Sequence, residues 1–169
     1  GDVREAEHFI APIEVLGQPD VVYSQRCIQN ILDWPAQKAA ILNLIEILAP
    51  GGCYVMIENG MAGLERINEI RASLKLATIT PPSHNRYLLE SNIDDLRSTL
   101  RESGIANLEA TGYHGSSYAV LSRVVNAMVA ASFDSEPEYD SYINKMALTM
   151  ESSGQFGQYR HWVWRRNDG

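Results

Sequence analysis

The hydrophobic pattern of the chain switches between short, dense apolar runs and longer stripes at helical spacing. Asp20-Val-Val-Tyr-Ser-Gln-Arg-Cys27 follows the turn signal Gly17-Gln-Pro-Asp20 and predicts a buried, central strand that ends near Ser24. Asp33-Trp-Pro-Ala-Gln37 then supplies an N-cap at Asp33, an early-turn proline and an amide capping partner at Gln37. Ile41, Leu44, Ile45 and Leu48 continue that helix, and Pro50-Gly51-Gly52 stops it. The run from Gly52 to Asn59 is too uniformly apolar for a half-exposed strand, so it belongs in a covered sheet. Strand, helix, strand in this order makes a parallel unit.

Further along, residues 63–75 read as a helix carrying Leu64, Ile67, Ile70, Arg71 and Leu74, until Thr78-Ile-Thr-Pro-Pro-Ser-His-Asn85 interrupts it with a candidate active-site loop. A second stripe from Asn92 to Ser103 buries Ile93, Leu96 and Leu100 and ends at Gly104, before a strand over 105–113. Residues 117–131 read as a helix with Val120, Leu121, Val124, Val125 and Met128 inward. A polar loop, a short helix over 142–149 and a last strand over 159–165 complete the order, with Trp162 and Trp164 on one face.

Composition narrows the function. The chain has 169 residues, 45% apolar and 21% charged, which fits one globular α/β domain. Its formal charge of -7 disfavours nucleic acid as the main partner. No apolar run approaches a membrane span, and no signal peptide is evident. Cys27 and Cys53 lack zinc-site spacing, and no compact His/Asp cluster surrounds Glu58, so no metal is expected. Buried reduced thiols fit a cytoplasmic protein.

Taken together, Asp20-Val-Val-Tyr-Ser-Gln-Arg26, Leu32-Asp-Trp34 and Leu48-Ala-Pro-Gly-Gly-Cys-Tyr-Val-Met-Ile-Glu58 resemble class I S-adenosylmethionine-dependent methyltransferases. They correspond to that family's fourth strand, the helix after it and its fifth strand. Gly1-Asp2-Val3 resembles the segment after the third strand, and residues 105–115 and 159–166 resemble the last two strands. The resemblance implies a partial Rossmann-like methyltransferase fold, with a predominantly parallel central sheet, an antiparallel last strand and helical insertions at 61–91 and 116–158 that shape the acceptor pocket. The family's glycine-rich loop after its first strand, and the acidic residue closing its second, have no counterpart here. Two explanations stand: the C-terminal portion of a larger methyltransferase domain, or a divergent chain that lost cofactor binding. Either way, the strand near residues 20–25 needs an upstream segment or a second copy to cover its edge.

The implied cofactor is S-adenosylmethionine, with Asp2, Val3, Ser24, Gln25 and Arg26 as its candidate contacts. Strand-end position supports the last three independently, because ligand loops of open α/β sheets gather at the carboxyl ends of strands. Glu58 and Asn59 end the neighbouring strand, Glu58 as a candidate base and Asn59 as a substrate contact. His84 is the first candidate catalytic base, flanked by Asn85, Arg86 and Tyr87 as substrate contacts; His114 is the alternative base, with Tyr113 and Tyr118 as pocket walls and Gly115 allowing close approach. The expected activity is methyl transfer to an oxygen or nitrogen of a small polar metabolite. The main alternative is a noncatalytic interaction or assembly domain derived from such an enzyme; a nucleic-acid methyltransferase is a third.

Overall fold

The computed structural model describes residues 2–168. Gly1, the first residue of the segment likened above to the stretch after a third strand, lies outside them. The elements in order are a 3-10 turn Ala6–Phe9, α1 (Ile10–Leu16), β1 (Val21–Gln25), a 3-10 turn Ile28–Asn30, α2 (Trp34–Glu46), β2 (Cys53–Asn59), α3 (Met61–Ser73), α4 (Glu90–Ser103), β3 (Ala106–Tyr113), α5 (Ser116–Val120), a π-helical turn Leu121–Val125, α6 (Asn126–Ser132), α7 (Tyr142–Ala147) and β4 (Tyr159–Arg166).

The strands form one sheet in the order β1-β2-β4-β3. β1 and β2 are parallel, in register from Val21 opposite Cys53 to Gln25 opposite Ile57. β4 is antiparallel to both neighbours, since Arg166 donates to Gly52 and Gly60 to Gln158 on one side, while Asn167 donates to Ile105 and His114 to Tyr159 on the other. The α/β class and the mainly parallel sheet with an antiparallel last strand are therefore as expected. Among the described residues β1 is an edge strand, with Val21 60% and Tyr23 56% exposed. Its apolar density predicted a central place, but in these residues only β2 pairs with it.

The chain divides into two compact units, the first from Gly1–Asn59, Pro81–Thr111 and Arg160–Gly169, the second from Gly60–Thr80 and Gly112–Tyr159. In the first, Tyr54, Met56, Trp162 and Trp164 from the sheet pack with Ile41, Leu44, Ile45 and Leu48 of the α2 stretch and Ile93, Leu96 and Leu100 of α4. The α2 start follows its sequence signal: Asp33 Oδ1 accepts from the Ala36 amide at 2.9 Å, and Pro35 occupies the first turn. α4 begins two residues before the expected Asn92, whose Oδ1 instead reaches back to the Leu89 amide at 3.0 Å. It ends at Gly104, whose φ of 68° is the left-handed conformation that terminates helices.

The second unit has a smaller core of Ile67, Ala119 and Val124, joined by Ile70, Ile79, Val120 and Phe156. Met128, expected to face inward, is exposed. The π-helical turn shifts the stripe, so Ala127 and Ala130 are buried in its place. Close backbone contact replaces side-chain volume here. Gly63 accepts from the Gly157 amide at 2.9 Å, and a Cβ on Gly63 would lie 1.9 Å from the Gly157 oxygen.

Candidate functional site

β1 and β2 bring their carboxyl ends to the same edge of the sheet, and the turn leaving β1 is built there. Arg26 has a left-handed φ of 52° and donates its amide to Ile57 at 2.9 Å. A non-glycine residue in that region is strained and persists only where its surroundings hold it. The hold comes from Glu58. Its Oε1 accepts the amides of Cys27 at 2.9 Å and Ile28 at 3.0 Å, and its Oε2 accepts that of Gln29 at 3.2 Å. A carboxylate at the start of a short helical turn satisfies amides that have no intrahelical partner. Burial pushes the Glu58 carboxyl above the usual range, although the three amides pull it down. Beside it, Ser24 Oγ shares a 2.6 Å hydrogen bond with the Tyr54 hydroxyl, and burial pushes that phenol far upward.

This geometry corrects the reading of Glu58 as a base. The residue is wholly buried and both oxygens are occupied by backbone, so it is a positioning residue for the turn. Ser24 is likewise 92% buried against Tyr54, leaving it little access to a ligand. Gln25 faces solvent and accepts from the Tyr23 hydroxyl at 2.7 Å. Arg26 is exposed.

The turn's outward face borders a groove of about 680 Å³ lined by Asp2, Val3, Arg4, Cys27, Asn30, Ile31, Leu32 and Asp33. Asp2 and Val3 thus stand together with the loop after β1, while Ser24, Gln25 and Arg26 lie outside the lining. Hydrogen bonds from Arg4, at 3.0 Å from both its amide and Nε, hold the Asp2 carboxyl well below the usual carboxylate range. The groove combines apolar residues Val3, Ile31 and Leu32 with polar Asp2, Asn30 and Asp33.

Residues 84–87 divide in two. His84 is exposed on a turn closed by the Asn85 amide donating to Pro82 at 2.9 Å, and lines none of the cavities described here. Asn85 and Arg86 are half-buried and bonded to protein partners, and Tyr87 is buried. Asn85 accepts from Gln29 Nε2 at 3.3 Å. Arg86 Nη1 donates to Gln37 at 2.7 Å and Asn92 at 3.2 Å, and Tyr87 is only 8% exposed. Asn59 is also buried, and its backbone oxygen accepts the Leu88 amide at 2.9 Å.

Gln37 was missed as the hub of this network. Wholly buried, its Nε2 donates to Ile31 and Arg86 carbonyls at 2.9 Å and to Ile28 at 3.2 Å. It stands four residues after the N-cap Asp33, one past the capping-box position, and its side chain turns inward. The usable signal was a polar residue within the apolar stripe that continues to Ile41 and Leu44.

In the second unit, His114 and Tyr118 line one pocket of about 340 Å³ with Arg123, Leu148, Met150 and Tyr159 among its walls. Buried Ser116 pins the loop behind it: its hydroxyl donates toward the carbonyls of Gly154 at 3.0 Å and Phe156 at 3.1 Å, and its Oγ accepts the Phe156 amide at 3.2 Å. Tyr113 is outside this pocket: its hydroxyl accepts from Arg66 at 3.1 Å, with that guanidinium 5.7 Å from the ring centre. Gly115 is required for its φ of 62°, not for close approach, since a Cβ there would meet nothing nearer than 3.9 Å. Among the described residues, no group of three or more His, Cys, Asp or Glu side chains could hold a metal ion, and no helix is long and apolar enough to cross a membrane.

No family model matches the chain. No curated protein matches it either. It is similar to solved structures of methyltransferases. One is an O-methyltransferase family protein from Burkholderia thailandensis, at 14% identity and a TM-score of 0.45, covering 100% of this chain and 35% of that one. Another is the plantazolicin methyltransferase BamL in complex with a triazolic desmethylPZN analog and SAH, at 11% identity and a TM-score of 0.49, covering 97% of this chain and 58% of that one. The chain therefore spans 35% and 58% of the length of these two.

Proposed function

We propose that this chain takes part in methyl transfer from S-adenosylmethionine to an oxygen or nitrogen of a small polar metabolite, in the cytoplasm. The observation that carries the reading is the Glu58-locked turn at the joint carboxyl ends of β1 and β2, bordering a groove shared with Asp2 and Val3. Sequence likeness assigns the donor to these same segments, and an open α/β sheet binds its ligands at this edge.

Val3, Ile31 and Leu32 would hold the adenine face, with Asp2 and Asn30 toward its polar edges. When bound, the cofactor would supply an electrophilic methyl group, whose transfer to the acceptor oxygen or nitrogen releases the thioether S-adenosylhomocysteine. The chain's own residues align the acceptor and exclude water. His84 is the first candidate from sequence for removing an acceptor proton, but His114, which shares a concave pocket with Tyr118, is now preferred and His84 becomes the alternative. Residues 61–91 and 116–158 would shape the acceptor pocket. The glycine-rich loop absent from this sequence would come from residues upstream, which would also cover the open edge of β1; a second copy is the other means of covering it.

Calorimetric titration of S-adenosylhomocysteine into this chain and into an upstream-extended form tests the reading. Binding that is gained or strengthened in the longer form, and weakened by Leu32→Asp, is expected. Absence of binding in both forms refutes it and favours a noncatalytic interaction domain.

A further inference from the structure

The second unit contains another cavity, of about 290 Å³, into which two arginines converge, Arg71 from α3 and Arg123 from the π-helical turn. We infer that this cavity binds a small oxyanion-bearing molecule, a carboxylate or phosphate compound, gripped by Arg71 and Arg123.

Arg71 is fixed in place. Arg71 Nε donates to the Ala77 carbonyl at 2.6 Å and Nη1 donates to the Arg123 carbonyl, which sets the guanidinium plane and leaves Nη2 uncommitted. Among the described residues no carboxylate forms an ion pair with either arginine. The Arg71 cation is disfavoured first by burial and then by the Arg123 charge, so the two positive groups stand close to one another. Arginine's planar fork matches carboxylate and phosphate oxygens, and such charge-assisted bonds strengthen away from bulk water.

The facing wall is built as firmly. Asn126 and Asn144 are buried and clamp the 138–139 backbone: Asn126 Nδ2 donates to Glu138 at 3.0 Å, and Asn144 Nδ2 to Tyr139 at 2.9 Å. Glu138 contributes one exposed carboxylate to this rim, against two arginines. Tyr118 and Ser122 add hydroxyls that can donate to an anion. The backbone supports the same place. The Asn126 amide bonds to the Leu121 carbonyl, the wider i to i+5 spacing of a π turn, and Ser122 and Arg123 lie within that turn.

Tyr118 and Arg123 also line the pocket of His114. If methyl transfer is the activity, the acceptor is an anionic metabolite anchored here; that extension rests on the preceding reading, whereas anion binding itself does not.

The test is titration of the full chain with inorganic phosphate and, separately, malonate, at low and matched ionic strength with chloride as control and no methyl donor present. Saturable binding is expected. Preference for phosphate identifies a phosphorylated ligand, and preference for malonate a carboxylate. Arg123→Gln, which leaves the backbone carbonyl that Arg71 uses, should weaken binding about tenfold, as for loss of one charge-assisted hydrogen bond, with an unchanged thermal midpoint. No saturable binding of either anion, or equal affinity in Arg123→Gln, overturns the inference. Failure of the upstream-extended form to bind S-adenosylhomocysteine, with anion binding retained, would count against the enzymatic reading alone.

Discussion

The two units of this chain treat buried polar groups in opposite ways. In the first, Glu58, Gln37 and Arg86 are spent on protein partners: three amides on Glu58, three carbonyls on Gln37, and Gln37 and Asn92 on Arg86. In the second, Arg71 and Arg123 converge on a cavity without a paired carboxylate among the described residues. The difference separates scaffold from recognition. A polar group whose hydrogen-bonding capacity is used up internally shapes the backbone, and one that keeps donors facing a cavity can take a ligand.

The strongest way to break this comparison is Glu58→Ala. It strands buried amides and opens a cavity, and should cost about 3–5 kcal/mol, read from urea unfolding. If it costs no more than a surface substitution, Glu58 is not the anchor of the turn. Gly63→Ala is the counterpart in the second unit, where the added methyl would collide with the Gly157 oxygen and the Tyr113 ring. About 3 kcal/mol is expected, as for overpacking against backbone, with hydrogen exchange quickening over residues 60–80 and 112–159.

A pH series sharpens the scaffold side. Because burial raises the Glu58 carboxyl in the folded state, its contribution is fully present below the unfolded value and is lost as pH rises through the folded one. Subtracting a Glu58→Gln series from the wild type should leave a difference that falls over that acidic-to-neutral window. Asp95 provides the opposite sign: the Lys38 ammonium first, and the Trp34 indole second, lower its value, so its support is present above the unfolded value and lost as pH falls.

Smaller effects calibrate the rest. Asp33→Ala removes the cap on Ala36 and should cost about 1 kcal/mol. Asp95→Asn, at an exposed pair, should cost about 0.5 kcal/mol and less in high salt. Thermal unfolding at two ionic strengths checks both.

Where local chemistry and hydrophobic period agreed, the elements were legible. Asp33 and Pro35 began α2, Gly104 ended α4, and the alternation around Trp162 and Trp164 placed both indoles in the core. Position in the sheet was not legible for β1, because apolar density reports an environment that would suit a strand and not which neighbours pair with it. The candidate site was legible in location more than in role. Strand ends led to the turn after β1, and glycine and serine punctuation led to the His114 pocket. Glu58, Arg86 and Tyr87 were chosen as polar or aromatic residues in the right segments, yet their side chains turn inward.

The sequence by itself determined the α/β class, the order of the strands, and the ends set at Asp33 and Gly104, since local features depend on residues within a turn or two of one another. Only tertiary structure decided that Gln37 lies beneath residue 86, that Gly63 touches Gly157, and that Arg71 and Arg123 share a cavity. Those pairs are separated by dozens of residues, and side-chain direction depends on packing that no local pattern encodes.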